Sequence, residues 1–329
     1  VTAFGAAILG CEGLTLTKAE QGFFAGAHPF GFILFNRNLE SAAQIRALCA
    51  DLRSAVGWDA PIFIDQEGGR VQRLRPPLAT EWLPPLEDVA RYGAQAARAM
   101  ELRFLITSLE LCALGIDGNC VPTLDIARDE THAVLRNRCY GETLESVVEM
   151  GRAVVRGCQR GGVLPVMKHM PGHGLGTLDS HLELPRVATD RETLDTRDFA
   201  AFAAFADLPL GMSAHLVFEQ IDPRPATISP VMIEVIRKQI GFQGLLMTDD
   251  ISMQALSGTV AERGAAALAA GCDLVLHCNG DLEEMRALMG RVGRLSDPAQ
   301  GRASAALATR TAPENLDICA LRTELDALI

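Results

Sequence analysis

The chain has 329 residues, 48% of them hydrophobic and only 5% aromatic, so Ala, Val, Leu and Ile must supply the core; this length leaves one large α/β barrel or two ordinary domains open. Lys and Arg total 30 against 41 Asp and Glu, a formal charge of −11 with no basic cluster, which argues against nucleic acid and anionic membrane surfaces as partners. Nine cysteines without a C-x-x-C pair, and no apolar run near the ~20 residues of a membrane span, point to a cytoplasmic protein with reduced, mostly buried thiols.

Eight short apolar runs read as buried strands: Ala6 to Gly10, Phe32 to Phe35, Pro61 to Asp65, Gly118 to Pro122, Val163 to Lys168, Leu210 to Ala214, Leu245 to Thr248, and Asp273 to His277. The first ends in Ile8-Leu9-Gly10-Cys11, the pattern of a lipoprotein cleavage site, but only ten residues precede Cys11 and none is basic, so a strand end is expected. After the second strand, Ser41-x-x-Gln44 predicts a capping box, with Ile45, Leu48, Cys49, Leu52 and Val56 on one apolar face behind it. The Ala-rich span from Leu86 to Leu114 is long enough for an extended or double helix. Thr143 to Gly157 carries Val147, Met150 and Val154 on one face, and Ser229-Pro230 to Gly241 has both an N-cap and a closing glycine. Alternating β and α units imply parallel strands, and eight of them close a (β/α)₈ barrel of the TIM type. A doubly wound sheet would want a G-x-G-x-x-G turn that Gly10-Cys11-Glu12-Gly13 lacks. The stretch after Gly280 reads as terminal helices, so the expectation is one catalytic domain spanning 1–329.

Such barrels carry their chemistry at the C-terminal ends of the strands. There the sequence places Asp65, Asp125, Lys168, His169, His215, Asp249, Asp250 and Asn279. Asp249 ends a buried strand and could attack a sugar anomeric carbon, while Asp250 is assigned the helix-capping role; the reverse assignment stays open. The block from Lys168 to Gly174, followed by Asp179-Ser180-His181, invites a metal, since His169 and His173 are four apart. Pro171-Gly172 between them breaks the helix such a site needs, so no metal or cofactor is expected. The alternative is a loop that carries His181 over the pocket, with Asp179 fixing its tautomer for proton transfer. Asp65 with Arg70 and Arg73 around a Gly-Gly turn could grip hydroxyls, or be an ordinary surface turn; Arg138 could serve substrate or be structural.

Together these blocks resemble glycoside hydrolase family 3, in particular its bacterial cytoplasmic β-N-acetylglucosaminidases of the peptidoglycan-recycling type. The resemblance runs from Gly31 through Asn38 (GFILFNRN) to the last strand, and is most specific in Lys168 to Gly174 (KHMPGHG), Asp179-Ser180-His181, and Thr248 to Met253 (TDDISM). It implies that Asp249 is the nucleophile, that His181 paired with Asp179 is the acid/base, and that Asp65, Arg73, Arg138, Lys168 and His169 bind a terminal N-acetylglucosamine. Departures are Met170 for the usual Phe, Cys139-Tyr140 for Ser-Phe, and Ile251 for Leu. The implied mechanism is retaining, through a covalent glycosyl-enzyme. The family's β-glucosidases generally carry a second domain, so the resemblance favours a single-domain enzyme acting, as a monomer, on a small-molecule muropeptide fragment.

Four rivals remain at this level. Phosphate could replace water as acceptor; Asp249 and Asp250 could orient the substrate's acetamide in substrate-assisted hydrolysis; the barrel could bind sugar without turnover; or it could be a metal hydrolase.

Overall fold

The computed structural model describes residues 3–176 and 184–329. Eight parallel strands form its centre: β1 (Gly5–Leu9), β2 (Pro29–Leu34), β3 (Ile62–Ile64), β4 (Gly118–Asn119), β5 (Leu164–Pro165 continued by Met167–Met170), β6 (Leu210–Ser213), β7 (Leu245–Asp250) and β8 (Leu274–His277). Neighbours in sequence are neighbours in the sheet, and β8 returns to β1 with Ala7 opposite Val275. The first stretch of β5 pairs with β4 and the second with β6, with a parallel bridge from Thr123 to Lys168, so this one strand joins the two edges. That is the expected (β/α)₈ barrel, and its eight strands coincide with the eight apolar runs.

The crossovers follow from local signals. Helix α1 (Lys18–Ala27) starts in a Thr17/Glu20 capping box, and α2 (Ala42–Val56) buries the five apolar residues expected of it before Gly57 ends it in the left-handed region. Ser41 accepts the Gln44 amide, but the capping box is only half formed. Gln44 Oε1 instead accepts the Glu40 amide, and Nε2 donates to Leu14 and Asn38 carbonyls, tying the helix start to the loop after β1. The long Ala-rich span is two helices, α3 (Pro85–Tyr92) and α4 (Ala96–Ala113). Helix α5 (Leu144–Arg160) is capped by Thr143, residues 191–203 form α6, and residues 230–239 form α7 behind the Ser229 cap. Helices α8 (Val260–Ala270) and α9 (Leu282–Val292) flank β8. The terminal helix α10 (Asp297–Ala308) packs against β7, and α11 (Ile318–Asp326) buries Leu321 and Leu325 against α4.

Cys11 is buried just past β1, and its carbonyl accepts from Arg37 Nε (3.0 Å) and Asn38 Nδ2 (3.2 Å), so this stretch is part of the barrel wall. All nine cysteines are free thiols; seven are buried, Cys112 is half-buried and Cys319 exposed. Burial pushes Cys49, Cys158 and Cys272 up to about 12, which leaves them protonated and unreactive. No helix among the described residues is long and apolar enough to cross a membrane.

Candidate active site

At the end of β3 the chain turns back in a hairpin that Gln66 closes. Its Oε1 accepts the amides of Arg73 and Leu74, each at 3.0 Å, and its Nε2 donates to the Leu74 carbonyl at 2.8 Å. Arg73 is thereby returned beside Asp65, with Nη2 3.0 Å from Oδ2, and its guanidinium lies 4.9 Å from the centre of the Phe35 ring. Gly68 makes this turn at φ +107°, and a Cβ there would stand 1.9 Å from Arg103 Nη2. Arg70, the other arginine of the motif, is exposed and does not line the cavity.

Five charged groups interlock beneath that hairpin. Lys168 Nζ lies 2.9 Å from Asp65 Oδ1 and 2.6 Å from Glu67 Oε1. Arg138 meets Glu67 with two donors, at 2.9 and 2.8 Å. Burial alone would raise the carboxyl pKa values of Asp65 and Glu67, but the adjacent Lys168, Arg73 and Arg138 outweigh it and hold both below the usual carboxylate range. Burial likewise opposes the Lys168 charge, and Asp65 with Glu67 more than restores it. Arg138 Nη2 also faces His169 Nε2 at 3.3 Å, while His169 Nδ1 is 2.7 Å from Asp125 Oδ2. A guanidinium can only donate and a carboxylate can only accept, so His169 Nε2 accepts from Arg138 and its Nδ1–H donates to Asp125.

Asp249 closes the opposite side. It ends β7, lines the cavity, and accepts the Asp250 amide at 2.8 Å. Burial works to raise its pKa, but that amide and the Lys168 charge hold it below the usual carboxylate value, so the group is a charged carboxylate in a partly enclosed space. Asp250 is committed elsewhere: Oδ2 accepts Ser252 Oγ at 2.7 Å, and Oδ1 accepts the amides of Ser252 and Cys278. Asp250 thus closes a turn and ties it to the end of β8; it is not the helix cap the sequence suggested, because the next helix begins at Val260 behind a Thr259 cap. His215 stands behind the pair with Nε2 3.0 Å from the Asp250 carbonyl and Nδ1 2.8 Å from Thr227 Oγ1. Burial lowers its pKa, and Nε2 donates to the Asp250 carbonyl. Asn279 caps the turn before α9, bonding Glu284 and the Asp281 amide.

The chain leaves β5 through Met170-Pro171-Gly172 as a turn, not a helix, and the His169 and His173 rings end 5.7 Å apart. Asp125 Oδ1 accepts the His173 amide at 2.6 Å. Thr131 Oγ1 donates to the Gly174 carbonyl at 2.5 Å, and the His132 amide donates to Gly176 at 3.1 Å, so residues 173–176 are stitched to the loop after β4. Asp179 and His181 lie outside the described residues. Among the described residues no three His, Cys, Asp or Glu side chains are grouped to hold a metal.

These groups surround one cavity of about 320 Å³, which brings Asp65, Arg73, Arg138, Lys168, His169 and Asp249 onto a common surface. Sequence reasoning left out Glu67, Phe35 and the wall segment His132 to Leu135. It noted Asp125 only as a rim residue. The departures at Met170, Cys139, Tyr140 and Ile251 are all buried away from the cavity; Met170 instead packs over Gly211 of β6, and Tyr140 Oη accepts the Thr123 amide at 3.3 Å. None of the four lines the cavity.

Residues 16–306 match the family described as glycosyl hydrolase family 3 N terminal domain. A β-hexosaminidase of Alkalilimnicola ehrlichii is 38% identical over 284 residues, covering 84% of this chain and 81% of that protein. A β-hexosaminidase of Xylella fastidiosa is 36% identical over 301 residues, covering 89% and 88%. Among solved structures, NagZ from Neisseria gonorrhoeae in complex with N-trifluoroacetyl-D-glucosamine superimposes with a TM-score of 0.86 at 28% identity, over 99% of this chain and 98% of that one. A family 3 β-N-acetylglucosaminidase from Paenibacillus sp. gives 0.86 at 31% identity, covering 98% and 67%.

Proposed function

The chain belongs to glycosyl hydrolase family 3 and is a glycoside hydrolase of the β-hexosaminidase type; from that premise we propose that it removes the terminal N-acetylglucosamine from cytoplasmic peptidoglycan fragments, N-acetylglucosaminyl-anhydromuramic acid with or without its peptide, by a retaining mechanism centred on Asp249. The observation that carries this reading is a charged Asp249 sharing one cavity with Asp65, Arg73, Arg138, Lys168 and His169. At about 320 Å³ the cavity is at the small end of ligand pockets, which suits one terminal sugar. Asp65, Arg73, Arg138 and Lys168 then hold its hydroxyls through charge-assisted hydrogen bonds.

In the first step an Asp249 oxygen bonds to the anomeric carbon as the glycosidic C–O bond breaks, and the departing oxygen takes a proton from His181. In the second, His181 removes a proton from water, which attacks the anomeric carbon and frees the Asp249 carboxylate. Asp179 serves to orient His181. The Asp249 carboxylate is ionised without needing a base, as a nucleophile requires.

Proton NMR of the product during turnover tests the reading. Retention gives β-N-acetylglucosamine first, followed by mutarotation. An α product first, or a sugar 1-phosphate in phosphate buffer, would overturn it.

A further inference from the structure

Glu67 is 1% exposed, and the partners its carboxylate has among the described residues are Lys168 and Arg138. Its backbone is fixed as firmly. Arg103 Nη2 donates to the Glu67 carbonyl at 2.5 Å and is itself held by buried Asp88, in space that only the glycine at position 68 leaves open. A buried ion cluster of this kind is a poor way to stabilise a fold, because desolvation offsets much of the attraction between the charges. What it supplies is geometry and charge balance. Without Glu67, Lys168 and Arg73 would keep direct ion pairs to one carboxylate, Asp65, and Arg138 would lose its ion pair to Glu67.

We infer that Glu67 is a positioning residue for both cations: it fixes Lys168 and Arg138 on the cavity wall and cancels one of their charges, so the pocket selects a neutral sugar and does not trap small anions. Glu67 does not line the cavity and acts only through its two partners. The inference rests on the reading that Lys168 and Arg138 hold the substrate. Lysine and arginine clusters lacking an internal counter-charge are natural phosphate binders. Glu67 sits between these two as that counter-charge.

The test is E67Q and E67D in the whole chain, read by kcat and KM on 4-nitrophenyl N-acetyl-β-glucosaminide and by calorimetric binding of inorganic phosphate without substrate. In E67Q, phosphate should bind at least about tenfold more tightly than in the wild type, and KM should rise about tenfold with a smaller change in kcat, since the lost contacts serve binding of non-reacting hydroxyls. E67D keeps the charge but cannot span both cations. Its phosphate affinity should stay at the wild-type level while KM rises. A folded E67Q with wild-type KM and wild-type phosphate affinity overturns the inference, and if E67Q does not fold, an unchanged KM in E67D does so. Failure of the wild type to cleave the glycoside would sink the catalytic reading, while the phosphate measurement would still decide the role of Glu67.

Discussion

Asp125 Oδ2 lies 2.7 Å from His169 Nδ1 while its other oxygen accepts the His173 amide at 2.6 Å, so one buried carboxylate orients a cavity imidazole and anchors the segment leading toward residue 181. Burial would raise the Asp125 pKa, but His169 and His173 hold it below the ordinary range. Replacing it with Asn keeps the shape and loses the fixed acceptor. D125N should therefore reduce kcat/KM by about 10²-fold, the cost of a small misplacement of a reacting group, with little change in melting temperature. Steady-state kinetics beside a thermal melt would check this. A large melting shift with normal kinetics in the folded fraction would reduce Asp125 to a structural role.

His173 makes a pH prediction. Burial pushes its pKa down from 6.5 to about 4. Between those values the unfolded chain takes up a proton that the folded chain refuses, so stability falls as pH drops from about 6.5 toward 4 and recovers as pH rises. The full effect is roughly 3 kcal/mol. His215, also lowered by burial, acts in the same direction. Asp125 and Glu67 are depressed carboxylates, so their contribution is present above their unfolded values and is lost only on further acidification. Urea unfolding between pH 4.5 and 7.5 should show a rising free energy for the wild type and a flatter profile for H173N. Equal slopes would contradict the assignment.

Two glycine substitutions separate a required glycine from a permissive one. At Gly68, φ is +107° and a Cβ would lie 1.9 Å from Arg103 Nη2. G68A should cost about 1–3 kcal/mol as an overpacked, strained site and also raise KM by displacing Glu67. Gly290, inside α9, has no atom within 4 Å of its would-be Cβ. G290A should leave kinetics unchanged and stabilise the helix by roughly 0.5–1 kcal/mol. Denaturant midpoints and KM for both variants would show whether the effects split this way.

Much of the architecture was legible because buried parallel strands write themselves as short apolar runs, and Leu245 to Thr248 ending in Asp249 is readable as a strand with a carboxylate at its mouth. Asp65, Lys168 and His169 could be picked out because strand ends in this fold converge, while Arg73 was singled out by the family resemblance. Contacts made across the barrel were not legible. Asp125 and His169 are 44 residues apart, and nothing local to either names the other. Glu67 stands next to Gly68-Gly69, which reads as a solvated turn, and only the fold reveals that Lys168 and Arg138 bury it. The Gln44 cap forms only in part, because its Oε1 accepts the Glu40 amide in place of Ser41's while the Leu14 and Asn38 carbonyls hold its Nε2.

The central claim is that Asp249 becomes covalently bonded to the sugar. Incubation with a slow 2-deoxy-2-fluoro glycoside, digestion and mass spectrometry test it directly. A sugar adduct is expected on the peptide containing Asp249 and absent in D249N. Full turnover of the reagent with no labelled peptide, or a label mapping to Asp250, would contradict it.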